Sequence, residues 1–221
     1  MNGNTALDII MDRLARTSTD MRASALREMN LLMHTKLEKG PSPPWFLLQD
    51  KQASMVTVNG QEYVALPSGF IRFDDDNEVG GLFLYDSAIT GPDKWKALTR
   101  SGYNKMQNYY YGEDSGSVPE AYDLVMERVY LRPVPDAVYQ LRILAYFADV
   151  DCVDAASTNL WLTHADDVLV AETAGHMARV HLRNPELAQS IEADRQAARD
   201  RVYRAHVAFI ESMKSREMGD D

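Results

Sequence analysis

The feature that most constrains the fold is the stretch from Pro185 to Met213, which contains no glycine and no further proline. A single helix is predicted there, about 40 Å long at a rise of about 1.5 Å per residue. Asn184-Pro185 starts it, because Asn tolerates the backbone that ends a preceding helix and Pro suits a first helical turn. Its apolar stripe is thin, which is typical of a helix that projects partly from its domain and packs on a partner. The stripe comprises Leu187, Ile191, Ala198, Val202, Ala205, Phe209 and Met213.

Apolar residues at helical spacing predict three further helices. They are a short helix that ends near Leu14, a second from Asp20 to Glu38, and a third from Ala165 to Leu182. Gly40 and the prolines at 41, 43 and 44 end the second helix, because proline lacks a backbone donor and disfavours helix in the residue before it. The chain must therefore continue in an extended conformation.

Between residues 55 and 147 the pattern changes to the alternation of polar and apolar residues that is typical of strands. Asn59-Gly60 suits the positive φ values of a tight turn, so Met55–Val58 and Gln61–Val64 are predicted to pair as a hairpin. With the later runs, these strands predict one antiparallel sheet of about five strands. The later runs are Leu82–Tyr85, Tyr122–Val125, Val129–Leu131 and Tyr139–Phe147.

The region from Pro92 to Tyr111 is helix-like at first, at Trp95, Leu98, Tyr103 and Met106. It then becomes rich in tyrosine and glycine, which indicates a long loop between Tyr103 and Ser117. Tyrosines at a loop tip suit protein contacts, because they combine a large rigid area with a polar end. Ordinary loop packing is the alternative explanation of these tyrosines, and the sequence alone favours it. The tyrosines concerned are Tyr109, Tyr110 and Tyr111.

Together these patterns predict an α+β chain that is mainly helical. We expect a helical bundle with a small antiparallel β element and a long C-terminal helix. Residues 1–182 are predicted to form the body, with the β element inserted in it, and residues 183–221 a helical arm.

Composition limits the classes of function. The formal net charge of −10 opposes nonspecific binding to DNA or to an anionic membrane, because phosphate binding needs clustered Lys and Arg. Cys152 is the single cysteine, which excludes an intrachain disulfide and a Cys-rich zinc site. Neither a signal peptide nor an apolar run of the roughly 18 residues needed to span a membrane is expected.

The sequence contains no recognisable catalytic or metal-binding motif, so it predicts no enzyme, no catalytic residues, no cofactor and no metal. The acidic run from Asp74 to Glu78 lacks the alternating order of a calcium loop. His176 and His181 are five residues apart, which places them about 140° apart around a helix. No G-x-S-x-G elbow and no glycine-rich phosphate loop occurs.

The order of several short motifs resembles that of the head-to-tail adaptor (connector) proteins of tailed bacteriophages. Two N-terminal helices lead to Pro44-Trp45-Phe46, and a predicted strand leads to Tyr63-Val64-Ala65-Leu66-Pro67. Leu131-Arg132-Pro133-Val134-Pro135 then approaches the strand Tyr139–Phe147. Asn159-Leu160-Trp161-Leu162, with Trp and Leu transposed relative to the family, precedes the helix that carries Ala171-Glu172-Thr173-Ala174.

The resemblance implies a virion protein, made in the host cytoplasm, that forms a ring of usually twelve subunits. It implies that the ring joins the portal protein to a tail or nozzle protein, and that DNA passes through its lumen without sequence-specific binding. The segment from Pro185 to Asp221 would then contact the portal, and the loop from Tyr103 to Ser117 the tail or a neighbouring subunit. The portal candidates are Leu187, Ile191, Val202, Tyr203, Phe209 and Met213; the tail or neighbour candidates are Tyr109, Tyr110 and Tyr111.

Two other interpretations stay open at this point. The chain could be a stand-alone helical protein that binds proteins or regulates them as a homodimer through its long helix. It could also be a hydrolase of an unrecognised type, which would need a metal or a pH-dependent turnover that substitution of His164 or His176 abolishes.

Overall fold

A computed structural model of the chain describes residues 1–40, 43–73, 81–86, 94–110, 116–153 and 156–217. The acidic run Asp74–Glu78 and Tyr111 lie outside these ranges. The chain divides into two compact units, Met1–Leu47 with Ala148–Asp221, and Leu48–Phe147. We call them the helical unit and the strand unit. The predicted α+β class is confirmed, whereas the bundle arrangement of the helices and a boundary at residue 182 stay predictions.

Helices dominate the first unit, and several of them begin at a capping side chain. The Asn2 side chain accepts a hydrogen bond from the backbone N–H of Thr5 (3.0 Å), which starts the first helix three residues before Ala6. The second helix changes after Leu32 into a π-helical segment, Met33–Leu37, and a 3-10 turn follows at Trp45–Leu47. The helices are α1 (Gly3–Arg13), α2 (Thr19–Leu32), α3 (Tyr103–Tyr109, in the strand unit), α4 (Leu160–His164), α5 (Asp166–Val180) and α6 (Pro185–Glu217).

Helix α5 is the centre of the helical unit. Ten of its 15 residues are buried, and it packs against α1, α2, α4 and α6. A helix that is apolar on nearly every side must be covered on nearly every side. Any charged residue in its middle is therefore removed from solvent and requires partners.

The strand unit contains two sheets, whereas the sequence predicted one. A five-stranded sheet has the order β1-β9-β4-β5 with β3 also on β9, and a four-stranded sheet has the order β2-β8-β7-β6. Among the described strands, the pairs are antiparallel except that of β6 and β7, which is parallel. The strands are β1 (Leu48–Val56), β2 (Tyr63–Ala65), β3 (Phe70–Arg72), β4 (Gly81–Tyr85), β5 (Trp95–Ala97), β6 (Thr99–Arg100), β7 (Ala121–Val125), β8 (Arg128–Arg132) and β9 (Gln140–Phe147).

Strand β9 organises the larger sheet, because it is paired on both sides. It pairs with β1 and β4, its two neighbours in the strand order, and with β3 at Tyr146 and Phe147. Its alternate residues Leu141, Ile143 and Ala145 are fully buried, as period-two alternation predicts. The predicted strand Tyr139–Phe147 is therefore confirmed.

The predicted hairpin around Asn59-Gly60 is wrong, although its turn is present. Gly60 has a φ of 75°, and the backbone N–H of Gln61 donates to the carbonyl of Val58 at 3.0 Å. The strands on either side, however, enter different sheets: β1 pairs with β9 and β2 pairs with β8. The turn chemistry fixes the local bend, but the long apolar strand β9 provides the better partner for β1.

The helix expected at Trp95 and Leu98 is also wrong. Trp95–Ala97 forms β5 on β4, and Thr99 begins β6 beside β7. Pairing with two existing strands outweighs the local helical spacing, which extends over too few residues to be stable alone. Within the described part of this region, the helical residues are Tyr103–Tyr109, so the loop predicted from Tyr103 to Ser117 is wrong over these residues.

Candidate partner-binding surfaces

Helix α6 packs on its own unit over most of its described length. Ala188, Ile191, Ala198 and Ile210 are buried, and α6 lies along α5. Near its end, the ring of Phe209 stacks on Trp45, with centroids 5.3 Å apart and an angle of 25° between the planes. The side of α6 that faces away from α5 is the surface that it offers to a partner.

A buried carboxylate connects α5 to α6 and to the π-helical segment. Glu172 is 1% exposed, and its Oε2 accepts hydrogen bonds from Lys36 Nζ (2.9 Å) and Arg195 Nη2 (3.0 Å). Arg199 forms an ion pair with Oε1. Burial alone would raise the pKa of Glu172, but the hydrogen bonds and charges of Lys36 and Arg195 hold its pKa below the ordinary value. The carboxylate therefore stays ionised inside the unit.

Gly175 permits the close approach of α6 at this cluster. A Cβ at this position would lie 2.8 Å from Cδ of Arg195, closer than carbon atoms pack. We expect Gly175→Ala to lower the free energy of unfolding by about 1–3 kcal/mol, as overpacking of a core does. Urea denaturation would measure it, with Gly102→Ala as the control, because a Cβ at Gly102 meets no described atom within 4 Å. Equal stability of both variants would mean that Arg195 moves aside without cost.

A groove opens beside this cluster, and we call it the Lys36–Arg199 groove. It encloses a cavity of about 390 Å³ between the π-helical segment, α4, α5 and α6. Most of its wall is apolar, with Lys36, Arg199, Tyr203 and His206 as the polar members, and none of the described residues that line it is acidic. The apolar wall comprises Leu37, Pro44, Trp161, Val168 and Val202.

Two histidines that the helical spacing separates contact one carboxylate. Nε2 of His176 lies 3.3 Å from Glu28 Oε2, and Nε2 of His181 lies 3.1 Å from Glu28 Oε1. They can meet because His181 lies just beyond the last residue of α5 and Glu28 reaches both from α2. Within the described ranges, no group of three His, Cys, Asp or Glu side chains is arranged to hold a metal ion. The remaining candidate, His164, stacks on Phe46 with centroids 5.3 Å apart.

His34 connects the π-helical segment to the loop that follows β9. Its Nδ1 lies 2.8 Å from Glu38 Oε2, and its Nε2 lies 2.7 Å from Asp151 Oδ1. Burial alone would lower the pKa of His34, but the hydrogen bonds to Glu38 and Asp151 outweigh burial and raise its pKa above the ordinary 6.5.

The raised pKa of His34 makes stability depend on pH near neutrality. The contribution of His34 to the free energy of unfolding is complete below pH 6.5. It disappears as the pH rises through the higher pKa that His34 has in the folded state. We expect wild type to exceed His34→Gln in unfolding free energy by at most about 1 kcal/mol at pH 6, because the pair is partly solvated. The difference should decrease by pH 8. Urea denaturation of both proteins at the two pH values would measure it, and a constant difference would contradict the assignment.

The six candidate portal contacts on α6 differ in their accessibility. Ile191 is 5% exposed and contacts its own unit, and Phe209 is half-buried against Trp45. Val202 and Tyr203 are brought together at the Lys36–Arg199 groove, where Tyr203 is 60% exposed. Leu187 and Met213 are half-buried near opposite ends of the helix. The set is therefore not one continuous surface.

The tyrosines of the strand unit lie at the end of α3. Tyr109 is 77% exposed and its ring meets that of Tyr110 edge-on, with centroids 4.8 Å apart. The helix is anchored to β7, since the backbone N–H of Tyr103 donates to Asp123 Oδ2 at 2.7 Å. A large aromatic side chain on an anchored helix is well placed for a protein contact.

Comparison with known protein families shows the family of the chain. The sequence model of the SU10 adaptor protein family matches residues 5–215, which is nearly the whole chain. The chain belongs to the SU10 adaptor family. The resemblance to phage head-to-tail adaptors is thereby confirmed. No curated protein matches the adaptor.

Family membership supplies a coarse function for these surfaces. The adaptor is a structural protein of the phage virion, and proteins of this type connect portal and tail proteins. Across the described part of the adaptor, no helix is long and apolar enough to cross a membrane. The groove, the outward side of α6 and the α3 tyrosines are thus candidate protein contacts.

Proposed function

We propose that the adaptor forms a ring, of twelve subunits as the resemblance implies, that joins the portal to the tail and continues the DNA channel. The observation that carries this proposal is the family match over residues 5–215. The net charge of −10 supports it, because a wall that repels phosphate allows DNA to pass without binding.

In this proposal the portal contact lies on the last part of α6. The resemblance assigns this role to the C-terminal segment, and Met213 is a half-buried apolar residue beyond Ile210, the last buried residue of the helix among those whose burial is described. The α3 tyrosines, with Tyr109 most exposed, provide the contact to the tail or to a neighbouring subunit.

Truncation of the chain tests the portal contact. Removal of residues 183–221 would uncover α5 and leave Glu172 without Arg195 and Arg199, so loss of folding would obscure the result. A chain that ends at Glu211 keeps every buried residue of α6 through Ile210. We expect its melting temperature to lie within a few degrees of that of the full chain, because changes at exposed positions have small effects on stability. Its affinity for portal rings of the same phage should fall at least about tenfold.

Cryo-electron microscopy of the full chain with those portal rings provides the decisive measurement. A ring of adaptor subunits below the portal, with the end of α6 in contact, is the expected result. Met126→Asp, at a residue that is 95% exposed in the strand unit, is the control for the truncation and should leave docking unchanged. A full chain that ignores portal rings and forms a dimer would instead favour a stand-alone helical homodimer.

A further inference from the structure

The loop that follows β9 presents apolar side chains to solvent from a rigid backbone. Val150 is 65% exposed and Val153 is 79% exposed. Between them, the backbone of Cys152 both donates to and accepts from the Asn30 side chain, at 3.0 and 3.1 Å. We call residues 149–153 the acidic loop. Because its backbone is held in place, little conformational entropy is lost when another protein covers the two valines.

Two carboxylates lie beside these valines in the acidic loop. Asp149 is occupied internally, where its carboxylate accepts from the backbone N–H of Trp161 at 3.0 Å. Asp151, in contrast, keeps 55% of its side chain exposed beside His34. The acidic loop therefore offers an apolar surface with one accessible carboxylate.

The Lys36–Arg199 groove has the complementary character. Three cations, Lys36, Arg195 and Arg199, share the single buried carboxylate of Glu172. Arg195 also pairs with Glu192, so the cluster keeps an excess of positive charge in a chain whose net charge is −10. Lys36 and Arg199 are the solvent-facing members, with side chains 45% and 37% exposed. An ammonium has three N–H donors and a guanidinium five, so both can bind a further carboxylate.

The two surfaces lie on different sides of the π-helical segment. His34 faces the acidic loop, whereas Lys36 faces Glu172 and the groove. Residues two apart on a helix point in nearly opposite directions. A subunit with complementary surfaces on different sides can bind a second copy head to tail, and repetition of that contact closes a ring when the rotation permits.

We propose that the acidic loop of one copy docks in the Lys36–Arg199 groove of the next. Val150 and Val153 contact the apolar wall of the groove, Asp151 approaches Lys36 and Arg199, and Tyr203 covers the contact. This assignment rests on the proposed ring and names its subunit interface. It gives Val202 and Tyr203 a neighbouring copy as their partner instead of the portal.

Disulfide trapping between two single-cysteine additions tests the interface. Val150→Cys and Tyr203→Cys proteins would be mixed on portal rings of the same phage, oxidised, and analysed by denaturing gel electrophoresis. The native Cys152 is buried, so wild type reports its background. The matched control is Met126→Cys, at a residue that is 95% exposed in the strand unit. It is mixed once with the Val150→Cys protein and once with the Tyr203→Cys protein. We expect a Val150–Tyr203 dimer band and no comparable band with the Met126 variant, since a disulfide requires Cα atoms within about 7 Å.

A substitution that introduces a charge tests the same interface independently. Tyr203→Asp places a carboxylate opposite Asp151 and should weaken assembly on the portal at least about tenfold, whereas Met126→Asp should not. Subunits that dock on the portal without the Val150–Tyr203 band would overturn this interface and leave the proposed function intact. Subunits that neither dock nor cross-link would overturn both. Equal cross-linking with the Met126 variant would also refute the interface, because it would reflect random collision.

Discussion

Glu172→Gln should lower the free energy of unfolding by about 3 kcal/mol, the lower end of the cost of breaking a buried ion pair. The change keeps the shape of the side chain but leaves Arg195, which is 8% exposed at its side chain, near two other cations without their shared carboxylate. Lys36 and Arg199 can turn toward water, which is why the loss should not be larger. Urea denaturation at pH 7 would measure it.

The control is Glu127→Gln, at an exposed carboxylate, which should change stability by less than about 0.5 kcal/mol. Acid provides a second check. Because the pKa of Glu172 is lowered by folding, its contribution is complete above the ordinary value of 4.5 and disappears as the pH falls through the folded pKa. Wild type and Glu172→Gln should therefore converge in acid. Parallel curves at all pH values would mean that charge at Glu172 is not responsible.

Trp161→Ala should lower the free energy of unfolding by about 3–5 kcal/mol, the usual cost of removing a buried tryptophan. Trp161 is 2% exposed, packs edge-on against Phe46 with centroids 5.1 Å apart, and forms part of the groove wall. The cavity left by its ring would join the existing groove, so surrounding side chains cannot easily fill it. Thermal and urea unfolding would both report the loss.

Trp161→Phe separates packing from polarity. The indole Nε1 is buried without a hydrogen-bond partner among the described residues, so phenylalanine loses no side-chain hydrogen bond there. We expect this variant to lose less than about 1.5 kcal/mol, as a hydrophobic replacement of similar shape does. A loss as large as that of Trp161→Ala would show that the indole N–H has a partner that matters.

Local signals in the sequence were sufficient for the long elements. Asn184-Pro185 located the start of α6, the apolar spacing located α5, and the alternation located β9. These features depend on residues close in sequence. The pairing of the strands could not be predicted from such local signals. Strand β1 pairs with β9 and not with β2 through contacts between residues about 90 positions apart.

The candidate surfaces were harder to predict for the same reason. Lys36 and Glu172 are separated by 136 residues, and Glu28 and His181 by 153. A signal was nevertheless present: Glu172 is a single carboxylate within the apolar middle of α5, and Arg195 and Arg199 are spaced to share one side of α6. A lone charge in an apolar helix requires a buried partner of opposite sign. Tyr203 was identified from its helix, but its place in a groove required the fold.

The discontinuity of the helical unit bears on how the chain acquires its structure during synthesis. The strand unit is continuous, so its residues 48–147 emerge from the ribosome together and can fold while translation continues. Helices α1 and α2 emerge earlier but must wait for α5, which covers their apolar sides. During that interval Leu7, Ile10 and Met29 stay exposed. Slow translation of the final segment would prolong the exposure, so chaperone demand should rise with the delay before α5 and α6 are complete.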